Sequence, residues 1–569
     1  MGGLTMTFKD YQYTRPDMDL LEKNFNSALE TFKMASSGQA QIRAMKEINR
    51  LRNEFETQTV LVEIRHSVDT RDAFYEAENN YLDEVRPLAE GLLNKYYEAL
   101  LDSSYKRELK EEFGEQIFRI AEMIQKTFKE EIIGDLQIEN KLSSQYVKLR
   151  ASSKIHFEGQ ERNLSQMEPF MESADQEMRK KAQLAVNGFF EAHEEDFDRI
   201  YDELVKVRTK IAHTLGFENF VELGYARLMR SDYDATMVAG YRRQVYEELV
   251  PVATALRERQ AKRLGVSKLK FYDEPLEFLS GNATPKGQSE WIMANGSKMY
   301  KELSPETDDF FNFMLENDLM DLVSKKGKAG GGYCTFISDY KAPFIFSNFN
   351  GTAGDVDVLT HEAGHAFQVY SSRKYELPEY IWPTLEACEI HSMSMEFFAW
   401  PWMENFFEHE TDKYKFAHLA GALLFIPYGV TVDEFQHFVY ENPQVTPVER
   451  RAKWREIEGK YLPHRDYEGC DFLERGGYWF KQGHIFMNPF YYIDYTLAQV
   501  CAFEFWAKSR ADRETAWSDY LRLCRAGGSK SFLELVDLAK LNNPFVEGTI
   551  KKIVAPIQAY LANVDDSEM

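Results

Sequence analysis

Only three of the 18 prolines, Pro16, Pro87 and Pro169, fall before residue 250. Proline lacks a backbone donor and its ring clashes with the preceding turn, so its scarcity leaves the first half of the chain free to run as long helices. The apolar spacing uses that freedom. Leu109, Phe113, Ile117, Ile120, Ile124 and Phe128 recur at steps of three or four with charges between them, the stripe of one amphipathic helix. Similar charged, periodic stretches fill 18–100 and 172–260. Such stripes read as helix-packing core, not chemistry.

The texture changes near residue 265, where proline and glycine become frequent. Gly330, Gly331 and Gly332 lead into Tyr333–Ile337, a polar turn at Ser338–Lys341, and Phe344–Phe346. Two β-branched and aromatic runs joined by a short turn predict a hairpin. The glycines are no phosphate loop, because Tyr333 stands where that motif needs Lys. The expected fold is mostly α with a small sheet. An N-terminal helical region, 1–170, precedes a catalytic region, 171–569, with the division near Pro169.

Lys and Arg total 68 against 92 Asp and Glu, a net charge of −24 over 569 residues. Such a chain repels nucleic-acid phosphates and anionic membrane surfaces, and no basic patch overrides the sum. Five scattered cysteines form neither a disulfide framework nor a thiolate zinc site. The stretch Met1–Tyr13 lacks the apolar run of a secretory signal, and Met6 stands where myristoylation of Gly2 needs Ser or Thr. The most apolar segment, Phe416–Val432, is interrupted by His418, Gly421, Pro427 and Gly429 and reads as a buried core helix. These features predict a cytoplasmic, reduced protein that binds neither nucleic acid nor membrane.

His361, Glu362 and His365 form H-E-x-x-H. On a helix, positions four apart share a face, so both imidazoles can reach one zinc ion while Glu362 sits beside it. Asp355 and Asp357 place acids where that helix begins. The metzincin continuation is excluded, since Gln368 and Ser371 replace its Gly and His. A glutamate on a following helix is the remaining class of third ligand, and Glu386, Glu389 and Glu396 are candidates. His391 also lies there but points to a different side of the helix from Glu389. Asp357 and Glu396 are both placed to orient a ligand histidine.

The pair His361-Glu362-Ala363-Gly364-His365 and Glu389-Ile390-His391-Ser392-Met393-Ser394-Met395-Glu396 resembles the zinc oligopeptidase family of thimet oligopeptidase, neurolysin and oligoendopeptidase F. The bacterial oligoendopeptidase branch, with its Pz-peptidases, agrees best in size and helical content. The resemblance implies Glu389 as third ligand to one zinc ion per chain, with Ser392 and Glu396 in the later motif positions. Residues 484–496, HIFMNPFYYIDYT, are similar to a second family block, a His followed by tyrosines that face the scissile carbonyl. This implies catalytic roles for His484, Tyr492 and Tyr495, with Tyr491 as the alternative to Tyr492. The resemblance also implies a two-lobed molecule with a deep central channel that takes short unfolded peptides.

Three protein ligands leave zinc a fourth position for water, and Glu362 can take that water's proton. The expected activity is therefore a zinc metallo-endopeptidase cutting internal bonds of oligopeptides. Two alternatives stand beside it. A zinc carboxypeptidase with the same ligands would need a cationic grip on the substrate C-terminus. A non-enzymatic, peptide-binding scaffold would close a structural zinc site with a fourth ligand, for which His391 is the nearby candidate.

Overall fold

The computed structural model describes residues 6–567 and residue 569; the reading of Met1 and Gly2 lies outside them. Long helices fill the N-terminal part: Met18–Lys33, Gly38–Val68 and Ala73–Leu101, the last carrying Pro87 inside it. Asp17, Ser37 and Asp72 cap their N-termini through side-chain acceptors. Phe25, Phe32, Met45, Ile48, Tyr96 and Leu100 close a core of their own, which reaches Leu377 and Tyr380. The stripe from Leu109 to Phe128 is not one helix. It divides into Lys106–Phe113 and Gln116–Thr127 at Gly114, whose φ of 80° a continuous helix excludes. Leu109, Ile117 and Phe128 are still buried, so periodicity reported the face correctly and missed the break.

Among the described residues, five short strands make two sheets. β1 (Ile155–Phe157) and β2 (Gln160–Arg162) are a small hairpin, close to the proposed division at Pro169. β3 (Met320–Val323), β4 (Tyr333–Ile337) and β5 (Ala342–Phe349) form the second sheet in the order β3-β5-β4. The predicted hairpin is present as β4 and β5, antiparallel, with Tyr333 opposite Phe346 and Ile337 opposite Ala342. Lys341 turns the chain between them in the left-handed region, φ 48°. Central β5 is buried almost throughout and delivers the chain directly to the helix Gly354–Ser372. The sheet is thus the floor on which that helix is placed.

The apolar segment at 416–432 lies within the helix Thr411–Glu441. Glu404–Glu441 holds a window of mean hydropathy 1.3, long and apolar enough to cross a membrane, but 61% of that window is buried inside the protein. Phe416, Leu419, Leu423, Ile426 and Val430 are core. The helix is also tied to its surroundings by polar groups. Fully buried Arg208 donates from Nε to Glu139 (2.7 Å), from Nη1 to the Tyr440 hydroxyl (3.0 Å) and from Nη2 to the Phe486 carbonyl (2.6 Å). One guanidinium therefore joins four segments far apart in sequence.

Arg208→Met leaves the Phe486 carbonyl without its donor and Glu139 with Arg227 alone. Breaking a buried, fully bonded ion pair costs about 3–5 kcal/mol. A clear fall in the denaturant midpoint is expected, and an unchanged midpoint would remove Arg208 from that role.

Candidate metal centre

The helix Gly354–Ser372 begins where the Asp355 carboxylate accepts the backbone N–H groups of Asn350 (2.9 Å) and Gly351 (2.8 Å). His361 and His365 then stand one turn apart, their ring centroids separated by 5.0 Å. A second helix, Leu385–Phe398, packs across the first. Their contact depends on Gly364. A Cβ there would meet Ser392 Cα at 2.6 Å and the His391 carbonyl at 2.8 Å, so no larger residue permits this approach. The approach brings Glu389 Oε2 to 3.1 Å from His361 Nε2 and 3.3 Å from His365 Nε2. One ligand atom from each of the three residues lies within 4.8 Å of the others. Two imidazole nitrogens and a carboxylate oxygen are a zinc-type donor set, one ligand short of the four that close a structural zinc site.

Groups behind the cluster orient it. His361 Nδ1 lies 2.7 Å from Glu396 Oε1, which turns Nε2 toward Glu389. The other oxygen of Glu396 lies 2.6 Å from His418 Nε2, and His418 Nδ1 accepts the Trp400 indole N–H at 2.9 Å. Asp357 does not touch a ligand histidine; it accepts from the Tyr414 hydroxyl at 2.6 Å. Glu386 is buried and accepts from Thr384 at 2.6 Å, outside the cluster. The His391 ring packs toward Tyr520, 6.2 Å between centroids, and its backbone carbonyl accepts the Tyr520 hydroxyl at 2.7 Å. Cys388 is buried, its thiol 3.4 Å from the Pro383 carbonyl.

Burial disfavours the charge of Glu389, yet His365 and His361 hold its carboxyl well below the usual range. Ser392 Oγ donates to its Oε2 at 2.9 Å, and the Tyr491 hydroxyl donates to its Oε1. Glu362 is different. Burial raises its pKa, the two histidines oppose that rise, and Glu389 and Glu396 add to it. Its Oε2 is buried without a hydrogen-bond partner. The position of a Cβ on Gly332 would be 3.3 Å from its Oε1, so the glycine-rich loop lies directly over this carboxylate.

The tyrosine block opens the helix Tyr492–Ala511, with Tyr491 at its N-cap. Tyr491 and Tyr495 are four apart, share a face and stack with centroids 4.9 Å apart. Tyr492 is rotated off that face. It packs on Phe425, Tyr428 and His484, and Tyr491 is the residue bonded to Glu389. Of the two alternatives, Tyr491 is the one in contact with the ligand cluster, and its four-residue spacing to Tyr495 is the sequence signal for that shared face. His484 Nε2 lies 2.9 Å from the Tyr495 hydroxyl, while the Gln482 amide donates to Nδ1 at 2.9 Å. Burial pushes the His484 pKa down to about 4, so the ring is neutral near pH 7. With Nδ1 accepting, its one proton sits on Nε2 and points at Tyr495. The Tyr495 hydroxyl accepts that bond and keeps its own proton free to donate.

Two cavities flank the centre. One, about 420 Å³, is bounded by the helix Gly38–Val68, the β4 residues Thr335 and Phe336, and Trp382, whose ring is 6.5 Å from that of His365. The other, about 440 Å³, opens beside Gly330–Gly332 and reaches Tyr478 and Lys481.

Two family models match the chain: the peptidase M3 N-terminal domain over residues 8–128 and peptidase family M3 over 300–555. The fold superposes on Pz-peptidase A, solved with an inhibitor, at 59% identity and a TM-score of 0.98 over 98% of this chain and 100% of that one. A Bacillus anthracis protein classed provisionally as oligoendopeptidase F is 58% identical, with a TM-score of 0.94 over 99% of both chains. An oligoendopeptidase F homologue from Borreliella burgdorferi is 23% identical over 380 residues, 65% of this chain. The match spans 62% of that relative's length.

Gly364→Ala puts a methyl group against Ser392 and the His391 carbonyl, with backbone atoms as the obstacle. Forced overpacking costs about 1–3 kcal/mol, and here it also drives Glu389 away from the histidines. Reduced thermal stability together with weakened zinc uptake is expected in calorimetry; wild-type zinc uptake would refute the dependence on close packing.

Proposed function

Because the chain belongs to peptidase family M3, with Pz-peptidase and oligoendopeptidase F, we propose that it is a zinc metallo-endopeptidase acting on internal bonds of short unfolded peptides. His361, His365 and Glu389 would hold the ion. Bound zinc would supply Lewis acidity to the scissile carbonyl and bring the pKa of water toward ~7. The observation that carries the reading is Glu362: a buried carboxylate with one oxygen free, placed beside the ligand cluster and not consumed by it. Burial and neighbouring carboxylates make it a stronger base than an exposed glutamate, suited to accept a proton from water and return it to the leaving amine.

Tyr495 serves the opposite need. A tetrahedral intermediate places negative charge on the former carbonyl oxygen, and a preorganised O–H aimed at it costs no reorganisation at the moment of reaction. Neutral His484 fixes that O–H by donating to its oxygen. Tyr491 and Ser392 restrain Glu389 so that it stays a ligand and does not compete as a base. Glu396 holds the His361 ring, and His418 holds Glu396.

Strand β4 offers the means of binding. It is an outer strand of the sheet, and among the described residues its outer side makes no backbone hydrogen bond. An extended peptide can add to such an edge through main-chain bonds, which tolerate many sequences. The cavities at the two ends of β4 would then receive the peptide on either side of the cleaved bond.

Glu362→Gln is expected to keep one zinc per chain, read by atomic emission, and to lose nearly all cleavage of a peptide blocked at both ends. Tyr495→Phe should lower kcat by about 10²–10³ with little change in KM, and wild-type kcat would remove Tyr495 from the site. Chelation should abolish internal cleavage and added zinc restore it. Glu396→Gln should weaken zinc binding or activity about ten- to a hundredfold, measured by competition with a chelating dye.

A further inference from the structure

The two cavities differ in charge. In the cavity beside Thr335 and Phe336, Arg52 is paired with Glu379 (2.6 Å) and Arg86 with Glu63, while Glu56 and Glu90 have no ion-pair partner among the described residues. The cavity beside Gly330 reverses this. Its buried Lys328 is spent on Asp321 (2.6 Å) and its Arg465 on Glu274 and Glu458, whereas Arg150 and Lys481 make no ion pair among the described residues. Asp355 and Glu168 on the same cavity are hydrogen-bonded, to two backbone N–H groups and to the Asn350 amide, without an ion pair among the described residues.

Arg150 is held in place without being satisfied. Its Nη2 lies 3.8 Å from where a Gly330 Cβ would be, its Nη1 3.6 Å from the same point on Gly483, and its Nε is buried with no partner. The guanidinium thus bridges the glycine loop and the segment that carries His484. Lys481, two residues before Gly483, lies over the Tyr478 ring at 3.7 Å and lines the same cavity.

Resting on the peptidase reading above, we infer that Arg150 and Lys481 form a subsite for a carboxylate on the C-terminal side of the cleaved bond, the peptide's own α-carboxylate or an acidic side chain. Direction follows from charge and strand polarity. β4 runs from Tyr333, beside this cavity, to the Thr335–Ser338 end beside the acidic one. A peptide lying antiparallel to β4 puts its C-terminus at Arg150 and Lys481 and its amino group near Glu56 and Glu90, and a parallel one meets like charge at both ends. The reach is short. From Glu362 Oε1 through Gly332 to Gly330 and Arg150 Nη2 the path is at most about 18 Å, about five residues of extended chain.

The test compares matched peptides ending in a free acid or an amide, and matched amides carrying Glu or Gln after the cleaved bond. The enzymes are wild type, Lys481→Gln and the double variant Arg150→Gln/Lys481→Gln. Charge-assisted bonds to one carboxylate predict a KM about ten- to a hundredfold lower for the favoured acid in wild type, reduced in Lys481→Gln and approaching equality in the double variant. An acid-over-amide preference identifies the α-carboxylate, and a Glu-over-Gln preference identifies the side chain. Because Lys481 is exposed, its single variant reports even where Arg150→Gln impairs folding. Equal KM values for wild type on both pairs, or a preference that survives the double variant, overturns the subsite and leaves the peptidase reading standing. Cleavage of the acid alone supports the subsite and overturns the endopeptidase reading. Cleavage of no peptide overturns both.

Discussion

The approach of two helices at Gly364 governs the rest of the centre. A helix pair normally separates its axes by about 8–10 Å because side chains stand between them. Here the missing Cβ of Gly364 lets the backbone at His391 and Ser392 move in. That inward shift converts Glu389 from a residue on a neighbouring helix into a partner of both histidines. H-E-x-x-H alone supplies two nitrogens on one face. The glycine inside it supplies the room for the third donor.

Closeness has an electrostatic cost. Glu362, Glu389 and Glu396 sit near one another, largely or wholly out of water, and each by itself would resist ionisation. The protein resolves this by giving the three carboxyls different partners. Glu389 faces two imidazoles, a serine hydroxyl and a tyrosine hydroxyl. Glu396 lies between His361 and His418. Glu362 is the one left short of donors, and its basicity is raised as a result. Three identical side chains in one small volume are thereby given different surroundings, as the proposed roles of ligand, orienting group and base require.

What the sequence disclosed follows from the range of each signal. The zinc-type helix is legible because its donors lie within one turn, and the β4–β5 hairpin because its turn is local. Glu389 required a second motif, since three glutamates shared that helix and residue type alone did not separate them. Tyr491 is within reach of the same helical arithmetic that pairs His361 with His365, since it stands four residues before Tyr495, whereas the family block marks Tyr492. Gly114 was missed because a periodic stripe continues across a break when both pieces face the same core. His418 and Arg208 were out of reach in principle: each acts through a partner on another helix, and nothing in the local sequence marks which distant helix that will be.

Peptide size selection can arise from charge placement without a lid. Main-chain pairing to β4 is indifferent to sequence and equally indifferent to length, so an open edge alone would accept any extended segment, including a loop of a folded protein. Charged groups at the ends of the groove alter that balance. If the subsite proposed above takes the α-carboxylate, Arg150 and Glu90 would be stabilised by a terminal carboxylate and ammonium and would gain nothing from the neutral backbone of a longer chain passing through. A peptide whose two termini reach both cavities collects both contributions; a longer one collects at most one and must also find an exit for its tail. On the proposed reading, discrimination by length would follow from the distance between two sets of charges, while the ligand cluster between them would stay blind to the side chains beside the cleaved bond.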